Sequence, residues 1–296
     1  MKITRIETFI LGTGSAKDLL FCRVETEDGL YGWGEAYVTQ GKEKVVAECI
    51  QSMAPHVIGR SAFNIRHTGQ VMYEDFAISY VRAMREALGP DFELLIEAHR
   101  RFAPAHAIRI GHRLAEFGID WYEEPCLSEN IELVAEVRRA LQIPIVTGEA
   151  IYTREAFFDC LARRAADILN PDICVIGGIT AMLDIAAMAQ PQAVVMAPHN
   201  YNSTLVGLAA TVHVSAVIQN FRIAEYFVNF ADLCRDIATE SLGVQDGWVE
   251  LPTSPGLGVD LDVEKLRAHP HQEATHRGFR QYWEEYPRKG YTPSLR

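Results

Sequence analysis

From Leu94 onward, six apolar runs each end in a polar side chain, and the interval between these side chains is nearly constant. The residues are Glu97, Glu123, Glu149, Asp172, His199 and Glu225, at spacings of 26, 26, 23, 27 and 26 positions. That interval is close to the length of one strand and helix unit in a (β/α)₈ barrel. Because the carboxyl ends of all strands face one mouth in such a barrel, we expect these side chains to converge on one cavity.

The sequence between these residues supports the same architecture. Short apolar runs alternate with amphipathic stretches, which indicates βα units and a parallel sheet. Pro104 suits the first turn of one helix, and Thr153 is placed to cap another. The six candidate strands are FELLIEAH, IDWYEEP, IPIVTGE, AADILNPD, AVVMAPH and FRIAEY.

The amino-terminal part of the chain predicts a small α+β unit. TRIETFIL and LLFCRVET are typical of strands, and the pair Asp28 and Gly29 suits the tight turn of a hairpin that leads to a third strand. Two helices are predicted to follow, over residues 43–53 and about 65–76.

Composition narrows the class of protein. The chain is 48% hydrophobic and 23% charged, with a net charge of -11, so no general attraction to nucleic acid or anionic membranes is expected. The six cysteines are scattered without a Cys-x-x-Cys pair, which argues against a disulfide framework or a zinc cluster. There is no apolar run of signal-peptide or membrane-span length. A cytoplasmic protein is expected.

Three of the strand-end carboxylates suggest a metal site. Glu97, Glu123 and Glu149 follow three successive predicted strands, and carboxylates that are brought together raise one another's pKa. A divalent cation neutralises such a cluster, and all-oxygen ligands favour Mg²⁺. Taken singly, each could instead be a solvated strand end or a salt-bridge partner. Alternation places Glu124 on the other side of its strand, where pairing with a neighbouring helix is the simpler interpretation.

Two histidines are candidates for acid and base chemistry. A carboxylate such as Asp172 beside His199 would fix the imidazole tautomer and raise its basicity, as a general base requires. His99 lies two residues after Glu97, and strand alternation would point both side chains into the mouth. A lone histidine is more often a structural hydrogen-bonding group, so that alternative stays open for both.

Several of these segments resemble one enzyme family. IEAHRRF, WYEEP, IPIVTGE, ILNPDICVIGGIT and APHN are similar to motifs of the enolase superfamily, mandelate racemase group, and most of all to its galactonate- and mannonate-type acid-sugar dehydratases. DGLYGWGEAY and PGLGVDLD resemble the ends of that family's capping domain. The resemblance implies an α/β fold, a TIM-like barrel with an amino-terminal α+β capping domain. The expected boundaries are 1–77 for the capping domain, 78–245 for the barrel and 246–296 for a segment returning to the capping domain.

The resemblance also implies a metal and its ligands. The family binds Mg²⁺ through three strand-end carboxylates, which match Glu97, Glu123 and Glu149. The cation holds the substrate carboxylate and stabilises the enediolate formed when the adjacent proton is removed. Glu97 stands where the family more often has aspartate; its side chain is longer but offers the same carboxylate ligand.

Roles for the remaining polar residues follow from the same resemblance. A histidine that matches His199, paired with the acid that matches Asp172, removes the α-proton of a sugar acid. One that matches His99 helps the 3-hydroxyl to leave, which gives a 2-keto-3-deoxy acid. Glu225 matches an acid near the substrate carboxylate or the enediolate. The expected partner is therefore a small carboxylate, and a homo-oligomer is expected.

One departure from the family concerns the connection between the two domains. The family carries its first two strand and helix units, roughly 60 residues, where this sequence passes directly from VMYEDFA to YVRAMREALGPD. The second strand of the racemases ends in a catalytic lysine, and no lysine lies between Lys44 and Lys265. Either a longer polypeptide, of mass above the 33.2 kDa of these residues, contains the segment, or the units are deleted and catalysis is lost.

The sequence therefore leaves three functions open. A dehydratase is favoured by the two histidines. A racemase or cycloisomerase would use the same proton abstraction. A non-catalytic binding or assembly protein would retain only the fold. The loop at residues 13–17 and the absent segment are the expected determinants of substrate specificity.

Overall fold

The computed structural model of the protein describes residues 1–14, 18–38, 41–240 and 242–270, without the side chains of 66 and 70–73. It divides into two compact units, residues 1–93 with 112–118, and residues 94–111 with the described residues from 119 onward. The predicted specificity loop lies outside the described residues at 15–17, as does the predicted carboxyl-terminal segment beyond 270.

The first unit contains an antiparallel sheet and two helices. The strands β1 (Ile3–Leu11), β2 (Leu19–Thr26) and β3 (Tyr31–Ala36) pair in chain order, and the helices are α1 (Glu43–Val57) and α2 (Ile65–Leu88). The predicted Asp-Gly turn forms, with the Gly29 N–H donating to the Thr26 carbonyl at 3.0 Å. The prediction that the second helix ends near residue 76 is wrong. Gly69 lies in the second turn of α2 without ending it, and no proline occurs between Ile65 and Leu88, so the helix continues for 24 residues.

The second unit is built on a parallel sheet. Its strands are β4 (Leu95–Glu97), β5 (Trp121–Glu123), β6 (Ile145–Thr147), β7 (Ile168–Leu169) and β8 (Val195–Met196), hydrogen-bonded in chain order. Five of the six predicted strands are confirmed. The sixth, FRIAEY, makes a single parallel bridge from Phe221 to Met196. Among the described strands of this sheet, β4 has one strand neighbour, β5, so the sheet ends there rather than closing.

Helices follow the strands of this sheet, which confirms the α/β fold class. They are α3 (Pro104–Ala115), α4 (Ile131–Ala140), α5 (Arg154–Ala162), α6 (Ile179–Ala189) and α7 (Leu205–Ser215). The predicted cap forms at the start of α5, where the Thr153 hydroxyl accepts the Ala156 N–H at 3.2 Å. Short elements complete the described chain: α8 (Ala231–Ile237), β9 (Ala238–Glu240), β10 (Val244–Gln245), β11 (Trp248–Val249), β12 (Asp260–Leu261) and α9 (Val263–Ala268). In the described part of the chain, no helix combines the length and the apolar character that a membrane crossing requires.

The sheet is fixed by an apolar cluster and by aspartates at the starts of its strands. Val146, Ile168 and Ala197 are buried together, and Trp121 packs against them. The Asp167 carboxylate accepts hydrogen bonds from the Ile145 N–H at 3.0 Å and the Arg138 guanidinium at 2.6 Å. Asp120 accepts from the Leu94 N–H at 2.9 Å in the same way. The amino ends of the strands are thereby held, and the polar groups at the carboxyl ends remain to build a site.

Candidate active site

A cavity of about 610 Å³ lies at the carboxyl ends of these strands. All of the residues that the sequence predicts for the site lie at this cavity or directly behind it. Glu97, His99, Glu123, Glu149, His199 and Glu225 line it, and Asp172 lies behind His199. Residues that are up to 128 positions apart in the chain are thus brought to one mouth, as the spacing predicts.

Two of the predicted ligands stand side by side on β4 and β5. Glu97 and Glu123 are register partners in the parallel ladder, so their side chains emerge next to one another. Glu123 is 8% exposed and accepts a hydrogen bond from the Asn170 side-chain amide at 2.5 Å. Burial, followed by repulsion from the Glu97 carboxylate, raises the pKa of Glu123 to about 9.

The third predicted ligand, Glu149, lies two residues past the end of β6 and faces cationic groups. Its Oε2 is 3.2 Å from His199 Nε2, and its Oε1 is 2.9 Å from Arg100 Nη1. The hydrogen bond from His199 is the largest cause that lowers the pKa of Glu149 to about 2, although burial acts in the opposite direction. Glu149 is therefore ionised at neutral pH.

Asp172 and His199 form a hydrogen-bonded pair across β7 and β8. Asp172 Oδ2 is 2.7 Å from His199 Nδ1, and Asp172 Oδ1 accepts the Cys174 N–H at 2.8 Å. Burial favours the neutral imidazole, but the hydrogen bonds to Asp172 and Glu149 outweigh it and raise the pKa of His199 to about 10. Nδ1 faces the orienting acid, so Nε2 is the nitrogen directed at the cavity.

Glu225 completes this side of the mouth. Its Oε2 accepts the Asn200 N–H at 2.9 Å and lies 3.7 Å from His199 Nε2. The segment that carries Glu225 forms no strand, so this backbone hydrogen bond from the residue after His199 holds the carboxylate in position.

His99 lies at the opposite edge of the cavity, beyond the end of β4. Its side chain is 53% exposed, and Nδ1 is 3.5 Å from Glu149 Oε1. The backbone φ of His99 is +49° and its N–H donates to the Glu97 carboxylate, so it belongs to a turn. The turn, rather than the strand alternation expected from the sequence, therefore places the imidazole.

Sequence reasoning missed two residues of the site and misplaced a third. The Asn170 amide donates a hydrogen bond to Glu123. Its position at a strand end, two residues before Asp172 in LNPD, could have identified it from the sequence. Arg100 reaches Glu149, and the available signal was the basic pair that follows the acid and histidine in EAHRR. The sequence predicts that Glu124 pairs with a neighbouring helix, but its partners are the Arg100 guanidinium at 2.5 Å and the Ser128 hydroxyl, which donates to it at 3.0 Å.

The donor set at this mouth fits a divalent cation. One ligand atom from each of Glu97, His99 and Glu149 can be chosen so that all lie within 4.8 Å of one another. The buried Glu123 carboxyl stands next to Glu97, and its pKa is raised first by burial and then by repulsion from Glu97, so a cation beside the two carboxyls would favour their ionised forms. Carboxylate oxygens and an imidazole are ligands for hard or borderline cations.

This combination defines a barrel-type α/β protein with an acidic, imidazole-containing site at the carboxyl ends of its strands. The chain belongs to the Enolase C-terminal domain-like family, whose model matches residues 44–266.

Curated relatives of this chain include enzymes of sugar-acid metabolism. A D-galactarolactone cycloisomerase of Agrobacterium fabrum is 33% identical over 63% of this chain and 51% of its own length. An arabinonate dehydratase of Saccharolobus solfataricus is 30% identical over 76% of this chain and 61% of its own. The chain therefore spans about half to three fifths of the length of these relatives. The structure of a 3,6-anhydro-D-galactonate cycloisomerase from Zobellia galactanivorans superposes with a TM-score of 0.61 at 23% identity, covering 90% of this chain and 99% of that one, which shows the shared fold.

A further relative bears on the short connection before β4. The alignment with a D-galactonate dehydratase of Xanthomonas euvesicatoria runs over 364 positions at 24% identity and covers 90% of this chain and 94% of the relative. It is longer than the 296 residues of this chain, so the relative has residues within the aligned region that have no counterpart here. The absence of room for the first strand and helix units agrees with that difference.

Proposed function

We propose that this site carries out the Mg²⁺-dependent dehydration of a sugar acid, by abstraction of the α-proton and β-elimination of the 3-hydroxyl to give a 2-keto-3-deoxy acid. The single observation that carries the proposal is the 2.7 Å pair of Asp172 and His199, which faces a cluster of carboxylates across one cavity. The dehydratases among the relatives support the same reaction class. We also propose that the protein is cytoplasmic and forms a homo-oligomer.

The metal would be held by Glu97, Glu123 and Glu149. When bound, Mg²⁺ supplies positive charge that fixes the substrate carboxylate and favours the negative charge that develops on it. Asn170 orients Glu123 through its amide, so it supports the ligand set without belonging to it.

The two histidines divide the proton transfers. His199, oriented by Asp172 through Nδ1, would remove the α-proton with Nε2, the nitrogen directed at the cavity. The hydrogen bond to Glu149 helps to raise the pKa of this imidazole, so His199 would act as a base only when Glu149 is engaged as a metal ligand instead. His99 protonates the departing 3-hydroxyl, for which its half-exposed position beyond β4 leaves access. Glu225 lies beside His199 Nε2, and in this proposal it would adjoin the substrate carboxylate or the enediolate.

A racemase or cycloisomerase is the second candidate. It is favoured by the D-galactarolactone cycloisomerase among the relatives, which is 33% identical to the aligned part of this chain. The absence of a lysine between Lys44 and Lys265 disfavours the form of the reaction that uses a lysine base. The third candidate is a non-catalytic protein that retains the fold, in which neither histidine would have a catalytic role.

The metal assignment is tested by calorimetric titration with MgCl₂. Replacing Glu149 with Gln should abolish binding, because it removes a carboxylate that is ionised at neutral pH. Glu136→Gln on α4 removes the same charge from an exposed helix position and serves as the matched control. Undiminished binding by the Glu149 variant would remove this carboxylate from the ligand set.

The histidine assignment is tested by a screen of sugar acids for 2-keto product, with exchange of the α-hydrogen in deuterated water followed in parallel. His199→Asn should lose both product and exchange. His99→Asn should lose roughly 10²- to 10⁴-fold in product while exchange survives, because the base is still present. His106→Asn on α3 controls for loss of an imidazole elsewhere. Product formation by the His199 variant at the unaltered rate would show that the pair with Asp172 is structural.

A further inference from the structure

Arg100 occupies an unfavourable backbone conformation at the mouth of the cavity. Its φ is +62°, and the φ values of His99 and Glu124 beside it are +49° and +38°. A side chain with a Cβ is disfavoured in this left-handed region. Such residues persist only where surrounding contacts hold them, and they are concentrated at functional sites. The contacts of Arg100 therefore indicate what this turn is held for.

The Arg100 guanidinium bridges two carboxylates from different strand ends. Nη1 is 2.5 Å from Glu124 Oε2 and 2.9 Å from Glu149 Oε1. The backbone is tied to the same place, because the Arg100 N–H donates to the Glu124 carbonyl at 2.7 Å. The Glu124 side chain is completely buried, while that of Arg100 is 21% exposed. Arg100 thus has a fixed end on a buried acid and an interaction with Glu149 at the cavity.

This second interaction engages a predicted metal ligand. Glu149 Oε1 is the oxygen that accepts from Arg100, whereas Glu149 Oε2 faces His199. A cation that coordinates Oε1 would lie within roughly 5 Å of the guanidinium, where like charges repel strongly in a partly buried site. Binding of a cation at this oxygen therefore requires either displacement of the Arg100 side chain or a loss of affinity.

We propose that Arg100 is a positioning residue that sets the divalent-cation affinity of this mouth, by holding Glu149 toward the buried Glu124 and competing with the cation for Glu149 Oε1. The inference rests on the proposed role of Glu149 as a metal ligand. It adds that the unusual turn at His99 and Arg100 tunes the site, so that the cation binds less tightly than the carboxylates alone would allow.

The test is calorimetric titration of Arg100→Gln with MgCl₂ and with MnCl₂. Removing the guanidinium should tighten binding of either ion by at least about tenfold, as expected for loss of a like charge at this distance. Arg101→Gln is the matched control. Arg101 is the next residue, it is exposed, and the substitution changes the net charge equally, so affinity should change by less than about twofold.

A second variant guards against a folding defect, because Arg100→Gln leaves Glu124 buried without its cation. The double variant Arg100→Gln with Glu124→Gln removes both charges and should bind as tightly as the single one, with an unchanged circular dichroism spectrum. The competition is supported if the single and double variants bind the cation more tightly than the unaltered protein does, or if they bind it and the unaltered protein does not. Equal or weaker binding than in the unaltered protein overturns the competition only. Absence of binding throughout overturns the metal site itself, and the competition with it.

Discussion

Gly148, the residue before Glu149, offers the sharpest test of how the site is packed. Its φ is +154°, and a Cβ built there would lie 2.8 Å from the backbone C and N atoms of Asn170. Contacts this short with backbone cannot be relieved by a side-chain rotation. The close approach of the β6 and β7 ends, which brings Glu149 and Asn170 into the same cavity, therefore depends on the absence of a side chain at position 148.

The perturbation is Gly148→Ala, and its matched control is Gly178→Ala. Gly178 precedes α6 with φ +87° and ψ -160°, a region that strongly favours glycine, and a Cβ there meets no described atom within 4 Å. The control should cost about 1 to 3 kcal/mol from backbone strain alone. Gly148→Ala adds the steric overlap with Asn170, which should destabilise the protein by a further ~1 to 3 kcal/mol.

Thermal unfolding measured by calorimetry distinguishes the two variants. Since 1 kcal/mol corresponds to roughly 2 to 4 °C for a domain of this size, Gly148→Ala should unfold roughly 2 to 12 °C below Gly178→Ala. It should also weaken Mg²⁺ binding, because displacement of Asn170 disturbs its hydrogen bond to Glu123. Equal unfolding temperatures for the two variants would refute the argument that backbone contact at position 148 builds the site.

Two other predictions concern reactivity and capping. Burial, with a smaller effect from a neighbouring acid, raises the pKa of the Cys160 thiol to about 12. Iodoacetamide at pH 8 should therefore alkylate the exposed Cys49 and Cys174 and should reach Cys160 only after unfolding. Peptide mass spectrometry follows the labelling, and equal rates at all three cysteines would contradict the prediction. Thr153→Ala removes the hydroxyl that caps α5 and should lower the free energy of unfolding by about 1 kcal/mol. The control is Thr204→Ala, at the start of α7, where the side chain makes no capping bond; it should change the free energy of unfolding by less than about 0.5 kcal/mol. Urea titration measures both variants, and an equal loss of stability in the two would argue against the cap.

Features that depend on local sequence were predictable. The hairpin turn at Asp28 and Gly29, the cap at Thr153 and five parallel strands follow from residue preferences and hydrophobic pattern, which act over a few neighbouring residues. The regular spacing also sufficed to predict that six polar residues meet at one mouth, because parallel strands joined by helices must all end on the same side.

What the tertiary structure decided is the direction of side chains beyond the strand ends. Alternation predicts direction only while the backbone is extended, and the positive φ values at His99, Arg100 and Glu124 end it one or two residues past Glu97 and Glu123. Arg100 is therefore directed at Glu124 and Glu149, which are contributed by two other strand ends. No local pattern contains such a contact, since its energy comes from charges that meet only after the sheet has formed.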